Sequence, residues 1–222
     1  MSAAVGPENR QLILWRHGRT HWNATGRVQG QTDVPLDEVG LSQAASAAAR
    51  LASLRPNRIV SSDLARAYVT AQALGSLADL DVEQDVRLRE MNFGNREGKT
   101  MAEAKADHPD EMRRWLAGED IRMAGAETYA DTAARVSEAI RDVADAMSGG
   151  ETVVLVSHGA ALRVGVCEFL GLPQQHWRTL GGFNNCSWAV IEQSRHGWRI
   201  VEWNAGQLPE PVLSDETQDA VS

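Results

Sequence analysis

Hydrophobic and polar positions change their period several times along this chain, and each change predicts an element. Leu12-Ile13-Leu14-Trp15 is an unbroken apolar run after a polar start, which predicts a short strand covered on both faces. The polar stretch from His21 to Val39, with Gly26, Gly30 and Pro35, predicts a long loop. Leu41, Ala44, Ala45, Ala48 and Leu51 then recur at helical spacing, and Pro56 follows that helix. Ile59-Val60-Ser61 predicts a second strand, and Asp63 is placed to cap a helix from Leu64 to Leu74 closed by Gly75.

Farther along, Val82 to Arg89 predicts an extended segment leading to Glu90, Met91 to Thr100 a loop, and Met101 to Ala117 a helix interrupted at His108-Pro109. A loop from Gly118 to Gly125 precedes a helix marked by Val136, Ala139, Ile140, Val143 and Met147 and ended by Gly149-Gly150. Thr152-Val153-Val154-Leu155-Val156-Ser157 is the strongest strand signal, and a helix from Ala160 to Leu170 follows it, closed by Gly171 and Pro173. Ser187 to Gln193 and Trp198 to Trp203 predict two last strands that form an antiparallel edge. Strands alternating with helices predict an α/β three-layer sandwich, with a mainly parallel sheet and helices on both faces. One domain is expected over residues 11–205, after a flexible N-terminus over 1–10. A flexible tail over 206–222 is expected from its two prolines, four acidic residues and few bulky apolar ones.

Composition narrows the function. With 222 residues, 43% of them hydrophobic, the chain can bury one core. A formal net charge of −8 argues against nucleic acid or an anionic membrane as partner, because both need a basic field, whereas a small anionic substrate needs only a local basic pocket. Cys167 and Cys186 make neither a disulfide framework nor a metal pattern. Met1 to Asn9 lacks the apolar core of a secretory signal, and no apolar run approaches the ~20 residues of a membrane span, so a soluble cytoplasmic protein is expected.

The candidate chemistry sits at strand ends. The first strand delivers Arg16 and His17 before Gly18, the second delivers Arg66 through the following helix, and the strand ending at Ser157 delivers His158 before Gly159. Ligands of parallel sheets bind beyond the carboxyl ends of the strands, so these residues converge on one pocket suited to a phosphoryl group.

The segments Leu14 to Thr20, Ser61 to Ala67, Leu88-Arg89-Glu90 with Phe93-Gly94, and Val156 to Gly159 resemble, in order, the motifs of the histidine phosphatase superfamily, which includes the phosphoglycerate mutases. The resemblance spans roughly residues 11 to 205. It implies that His17 accepts the phosphoryl group, that Arg16, Arg66 and His158 clamp its oxygens, and that Glu90 is the proton donor. Thr20 and Asn23 are implied as hydrogen-bonding partners of the phosphate or its flank, and Gln29, Gly30 and Gly159 as further substrate-binding positions. The segment 91–130 is expected to cover the site in part.

No cofactor is implied. His17 and His21 mimic a helical metal pair, but Gly18 and the strand-to-loop context leave no helix to align them, so no metal is expected. Gly94 to Thr100 imitates a nucleotide-binding loop with one residue too few between its glycines. Arg96 stands where relatives often carry tryptophan, which would alter a pocket wall.

The dedicated mutases carry a longer insertion with an Arg-His-Tyr-Gly sequence that this chain lacks, which favours hydrolysis of a phosphate monoester over phosphoglycerate mutase activity. Leu172 to Trp188, with Gly30-Gln31 and Trp203-Asn204-Ala205, resembles the actinobacterial glucosyl-3-phosphoglycerate phosphatase subfamily. That resemblance implies a sugar or glycerate phosphate, whose carboxylate Arg19, Arg27, Arg113, Arg114 or Arg122 would bind. An inactive phosphate-recognition module is the alternative of another class, and the C-terminal edge strand makes a homodimer an expectation.

Overall fold

The computed structural model describes residues 9–206, so the expected flexible termini fall almost wholly outside the described residues. Arg10 is inside them and is tied down, donating to Gln193 Oε1 and to the Ala144 carbonyl, both at 2.6 Å.

Among the described residues, six strands form one sheet: β1 (Gln11–Arg16), β2 (Arg58–Ser61), β3 (Val82–Gln84), β4 (Thr152–Ser157), β5 (Trp188–Ser194) and β6 (Gly197–Ala205). Their order is β3-β2-β4-β1-β5-β6. The first four run parallel, while β5 lies antiparallel to β1, and β6 to β5. The mainly parallel α/β sandwich expected from the sequence is therefore present, with β5 and β6 as its antiparallel side.

Apolar runs without alternation fill both faces. Leu12 and Leu14 of β1 pack with α6 (Tyr129–Ala146) and α7 (Gly159–Phe169), whereas Ile13 and Trp15 pack with α2 (Glu38–Ala52) and α3 (Ala65–Ala78). All four side chains are excluded from solvent, which explains why the run contains no polar residue. Gly165 lets α7 approach α6 closely, since a Cβ there would lie 2.3 Å from Val136 Cγ1.

Local chemistry moves several expected boundaries. The loop after β1 contains a one-turn helix, α1 (His21–Ala24), which Thr20 and Asn23 close as a reciprocal capping box. Asp63 does not cap α3: both its oxygens take the Arg89 guanidinium, at 2.8 and 2.5 Å, and Asp33 Oδ1 accepts from the Ala65 N–H at 2.8 Å instead. A bidentate, charge-assisted pair outcompetes one backbone N–H for the same carboxylate. The helix also passes through Gly75 to Ala78 and ends on Asp79 in the left-handed region, at φ 53°. Gly75 is needed because the returning chain brings the Leu80 carbonyl within 2.7 Å of where a Cβ would stand.

The segment read as extended from Val82 to Arg89 is only three residues of β3 followed by a 3-10 turn over Val86–Leu88. Asp85 caps that turn by accepting from the Arg87 N–H at 2.8 Å, and Ser157 Oγ anchors it by donating to the Leu88 carbonyl at 2.6 Å. Between Glu90 and α6, α4 (Met101–Asp107) and α5 (Pro109–Leu116) break at His108 as expected, and pack around a small separate cluster of Ala104, Met112, Trp115, Met123 and Ala124.

Candidate active site

The register of β1 against β4 pairs Arg16 with Ser157, so the next residues of the two strands, His17 and His158, emerge side by side. Their ring centroids are 5.0 Å apart. His17 Nδ1 lies 2.7 Å from the Gly18 carbonyl oxygen. A carbonyl only accepts, so Nδ1 carries the hydrogen and Nε2 keeps its lone pair. Burial first, then the charges of Arg66 and Arg16, hold the His17 pKa well below its ordinary 6.5, more than offsetting the Gly18 hydrogen bond. His158 is depressed in the same way by burial and then by Arg66, while its Nε2 lies 2.9 Å from Ser62 Oγ at the end of β2.

Two buried guanidinium groups flank the imidazoles. Arg16 donates to the Phe183 carbonyl, and Gly159 packs on its guanidinium, where a Cβ would lie 3.4 Å from Cζ. Arg66 on α3 donates to the carbonyls of Thr32 at 2.9 Å and Gly30 at 2.6 Å. Burial lowers its pKa to about 10, against the opposing charges of Glu90 and Asp33, so it stays cationic at neutral pH. Arg66 Nε and His158 Nδ1 are buried with no hydrogen-bond partner among the described residues. Buried polar atoms of this kind cost free energy unless a ligand completes them.

Glu90 closes the cluster on the other side. Its Oε1 accepts from the N–H groups of Met91 and Ala161, each at 2.8 Å, and its Oε2 from Ala160 at 3.2 Å. The carboxylate thus sits on the N-terminus of α7, the helix that begins just after His158.

Arg16, His17, Arg66, Glu90 and His158 are therefore brought together from four separate stretches of chain. Thr20, Asn23 and Gln29 form a bonded group of their own, in which the Thr20 hydroxyl donates to Gln29 Oε1 at 2.9 Å. Asn185 links that group to the nucleophile candidate, donating from Nδ2 to the His17 carbonyl at 3.2 Å and to Asn23 Oδ1 at 3.3 Å. Gly30 supports Arg66 through its carbonyl, in a backbone conformation at φ 56° that favours glycine.

Sequence reasoning missed Ser62, Asn185 and the Phe183 carbonyl as partners of the site, because each contact joins residues tens of positions apart. All five arginines considered for a substrate carboxylate have carboxylate partners on the protein: Arg19 with Asp37, Arg27 with Glu103, Arg113 with Asp110, Arg114 with Glu119 and Arg122 with Asp131. Arg96 is buried, its Cζ 4.9 Å from the Phe93 ring centroid and 5.9 Å from that of Trp115.

A mainly parallel sheet presenting two imidazoles, two guanidinium groups and a carboxylate at the carboxyl ends of its parallel strands is the architecture of an α/β phosphoryl-transfer enzyme. Residues 12–206 match the model of the histidine phosphatase superfamily, branch 1, and the chain belongs to that family. It is 38% identical over 224 residues to a glucosyl-3-phosphoglycerate phosphatase of Mycolicibacterium vanbaalenii, covering 92% of this chain and 99% of the relative. A probable phosphoglycerate mutase of Enterobacter sp. strain 638 is 36% identical over 216 residues, covering 94% and 99%. The structure superposes on a mycobacterial glucosyl-3-phosphoglycerate phosphatase solved with VO3 at a TM-score of 0.82 and 38% identity, covering 89% of this chain and all of the other. Family, fold and relatives make the protein a phosphoric monoester hydrolase of this superfamily.

Proposed function

We propose that the protein hydrolyses glucosyl-3-phosphoglycerate, or a closely related sugar or glycerate phosphate, through a phosphohistidine on His17. The observation that carries the covalent step is the 2.7 Å contact of His17 Nδ1 with the Gly18 carbonyl, which leaves Nε2 unprotonated on an imidazole that burial and the charges of Arg66 and Arg16 keep neutral. Nε2 attacks phosphorus as the P–O bond to the alcohol breaks, and Glu90 gives the leaving oxygen its proton. Glu90 then takes a proton from water, whose oxygen attacks phosphorus as the P–N bond breaks, releasing phosphate and neutral His17. Arg16, Arg66 and His158 hold the phosphoryl oxygens, each charge-assisted bond contributing about 1.5–3 kcal/mol. Support for the substrate comes from the names of the relatives at 38% identity.

The mutase relative supports a second reading, in which the P–N bond of phosphohistidine breaks as a hydroxyl of the bound glycerate takes the phosphoryl group back. One experiment separates the readings: turnover of glucosyl-3-phosphoglycerate, 3-phosphoglycerate and an aryl phosphate in excess chelator, beside His17→Ala, with alkaline quenching to trap acid-labile phosphohistidine. Phosphate release by the parent alone, with label at residue 17, is expected. Conversion of 3-phosphoglycerate to 2-phosphoglycerate establishes the mutase, and no turnover with phosphate still bound establishes a recognition module.

The same reading has residues 91–130 covering part of the site, since the chain enters that segment directly from Glu90. It takes the enzyme as a cytoplasmic homodimer joined along β6, in keeping with two free, buried cysteines and with Val201 exposed on that strand. Sedimentation of the purified chain tests the dimer. No helix among the described residues is long and apolar enough to cross a membrane.

A further inference from the structure

Glu97 lies outside the catalytic cluster, yet its carboxylate joins two segments that carry it. Oε2 accepts from the Thr32 N–H at 2.9 Å and the Thr32 hydroxyl at 2.6 Å, and Oε1 accepts from the Gln31 N–H at 3.0 Å and the Phe93 N–H at 3.1 Å. The loop Gly30–Thr32 is thereby fixed at Gln31 and Thr32: the Gln31 N–H belongs to the peptide that carries the Gly30 carbonyl, and the carbonyls of Gly30 and Thr32 take both terminal nitrogens of the Arg66 guanidinium. The loop also reaches Glu90: Gln31 Nε2 donates to the Glu90 carbonyl at 3.2 Å. Packing leaves no slack, since a Cβ on Gly30 would stand 2.0 Å from Glu97 Oε1.

We propose that Glu97 is a positioning residue that sets the Arg66 guanidinium against Glu90, so that the phosphate clamp and the proton donor keep one fixed separation. Its four hydrogen bonds act on backbone N–H groups and one hydroxyl, and none reaches the reacting atoms. Without the carboxylate, Gln31 and Thr32 lose their common anchor, and the carbonyls that aim Arg66 are free to drift. A guanidinium clamp held by the two carbonyls of Gly30 and Thr32 is sensitive to such drift, because charge-assisted bonds weaken steeply with misalignment. Local sequence says nothing of this link, which appears only once loop 30–32 is folded onto residue 97.

The inference rests on the reading that Arg66 binds the phosphoryl group, and the test separates the two. Inorganic phosphate affinity is measured by calorimetry for the parent, Glu97→Gln, Glu97→Ala, Arg66→Met and the Arg66→Met/Glu97→Ala double variant, with thermal unfolding of each. Glu97→Ala should bind phosphate about tenfold more weakly, the scale of one charge-assisted hydrogen bond, with Glu97→Gln in between. The double variant should bind no more weakly than Arg66→Met, as expected for residues acting through one group. Parent-like affinity in the folded Glu97 variants overturns the proposal, as does a second, additive loss in the double variant. Glu97→Gln carries the test where Glu97→Ala does not fold. Parent-like affinity in Arg66→Met overturns the underlying reading instead.

Discussion

His17 Nδ1 and the Gly18 carbonyl oxygen are 2.7 Å apart, so the tautomer of the imidazole is decided by the orientation of the very next peptide. That peptide is held in turn: its own N–H, on Arg19, donates to Gln43 Oε1 at 2.9 Å, the preceding Gly18 N–H donates to Thr70 Oγ1 at 3.1 Å, and a Cβ on Gly18 would lie 2.5 Å from the Gly40 carbonyl. Gly40 presses equally close from α2, where a Cβ would lie 2.0 Å from the Arg19 carbonyl. Two bare backbones in contact therefore aim the acceptor that fixes His17.

Gly40→Ala tests this directly. The added methyl meets backbone, which cannot rotate away, so roughly 1–3 kcal/mol of stability should be lost to overpacking. The kcat of the folded fraction should fall as well, because the Gly18 carbonyl shifts. Denaturant unfolding alongside turnover on an aryl phosphate measures both, and unchanged kcat would remove Gly40 from the account.

Glu90→Gln keeps the size of the side chain but cannot give up a proton to the leaving oxygen. Loss of a general acid typically costs 10²–10⁴-fold, about that range here for an alkyl ester whose alkoxide leaves poorly. Aryl phosphates, with stable leaving anions, should lose far less in the phosphorylation step. Comparing burst rates for the two ester classes checks the assignment; equal losses would argue against a leaving-group proton from Glu90.

Arg66→Lys replaces a fork by a point charge and leaves the carbonyls of Gly30 and Thr32 competing for one ammonium. Stability should drop by about 1–3 kcal/mol, the cost of a buried acceptor left unsatisfied. The kcat/KM should fall more than tenfold, read from initial rates at low substrate.

The imidazoles of His17 and His158 are both held below the ordinary 6.5 in the folded protein, chiefly by burial. The unfolded chain therefore takes up their protons first as the pH falls, so stability is complete above pH ~6.5 and declines below it toward the folded pKa values, by about 1.4 kcal/mol per pH unit for each histidine. Between pH 6.5 and 5 the His17→Gln protein should show a shallower decline in unfolding free energy than the parent by one such increment. An identical slope would mean that His17 is protonated in the folded state. Because His17 remains neutral, kcat/KM should not fall with a pKa of 6.5 on the acid side.

Much of the architecture could be read from local sequence. The unbroken Leu12 to Trp15 and Val153 to Val156 runs marked the strands buried on both faces, and the cationic and imidazole residues that end them marked the carboxyl edge. Helices α6 and α7 followed from apolar spacing and glycine stops. Asp63 misled because its competitor, Arg89, is twenty-six residues away, and nothing near a carboxylate in sequence reveals which distant donor will claim it. The expected strand before Glu90 shortened because Asp85 and Ser157 turn the chain there.

By itself the sequence determined that Arg16, His17 and His158 stand at the ends of buried strands, since that placement is a consequence of hydrophobic pattern and chain order. Only tertiary structure decided how they are aimed. The Gly18 carbonyl on His17, Ser62 on His158, the Gly30 and Thr32 carbonyls on Arg66 and the α7 N–H groups on Glu90 are hydrogen bonds made by chain folding. Backbone donors and acceptors are the same in every residue, so their partners are legible only when the fold has brought them within reach.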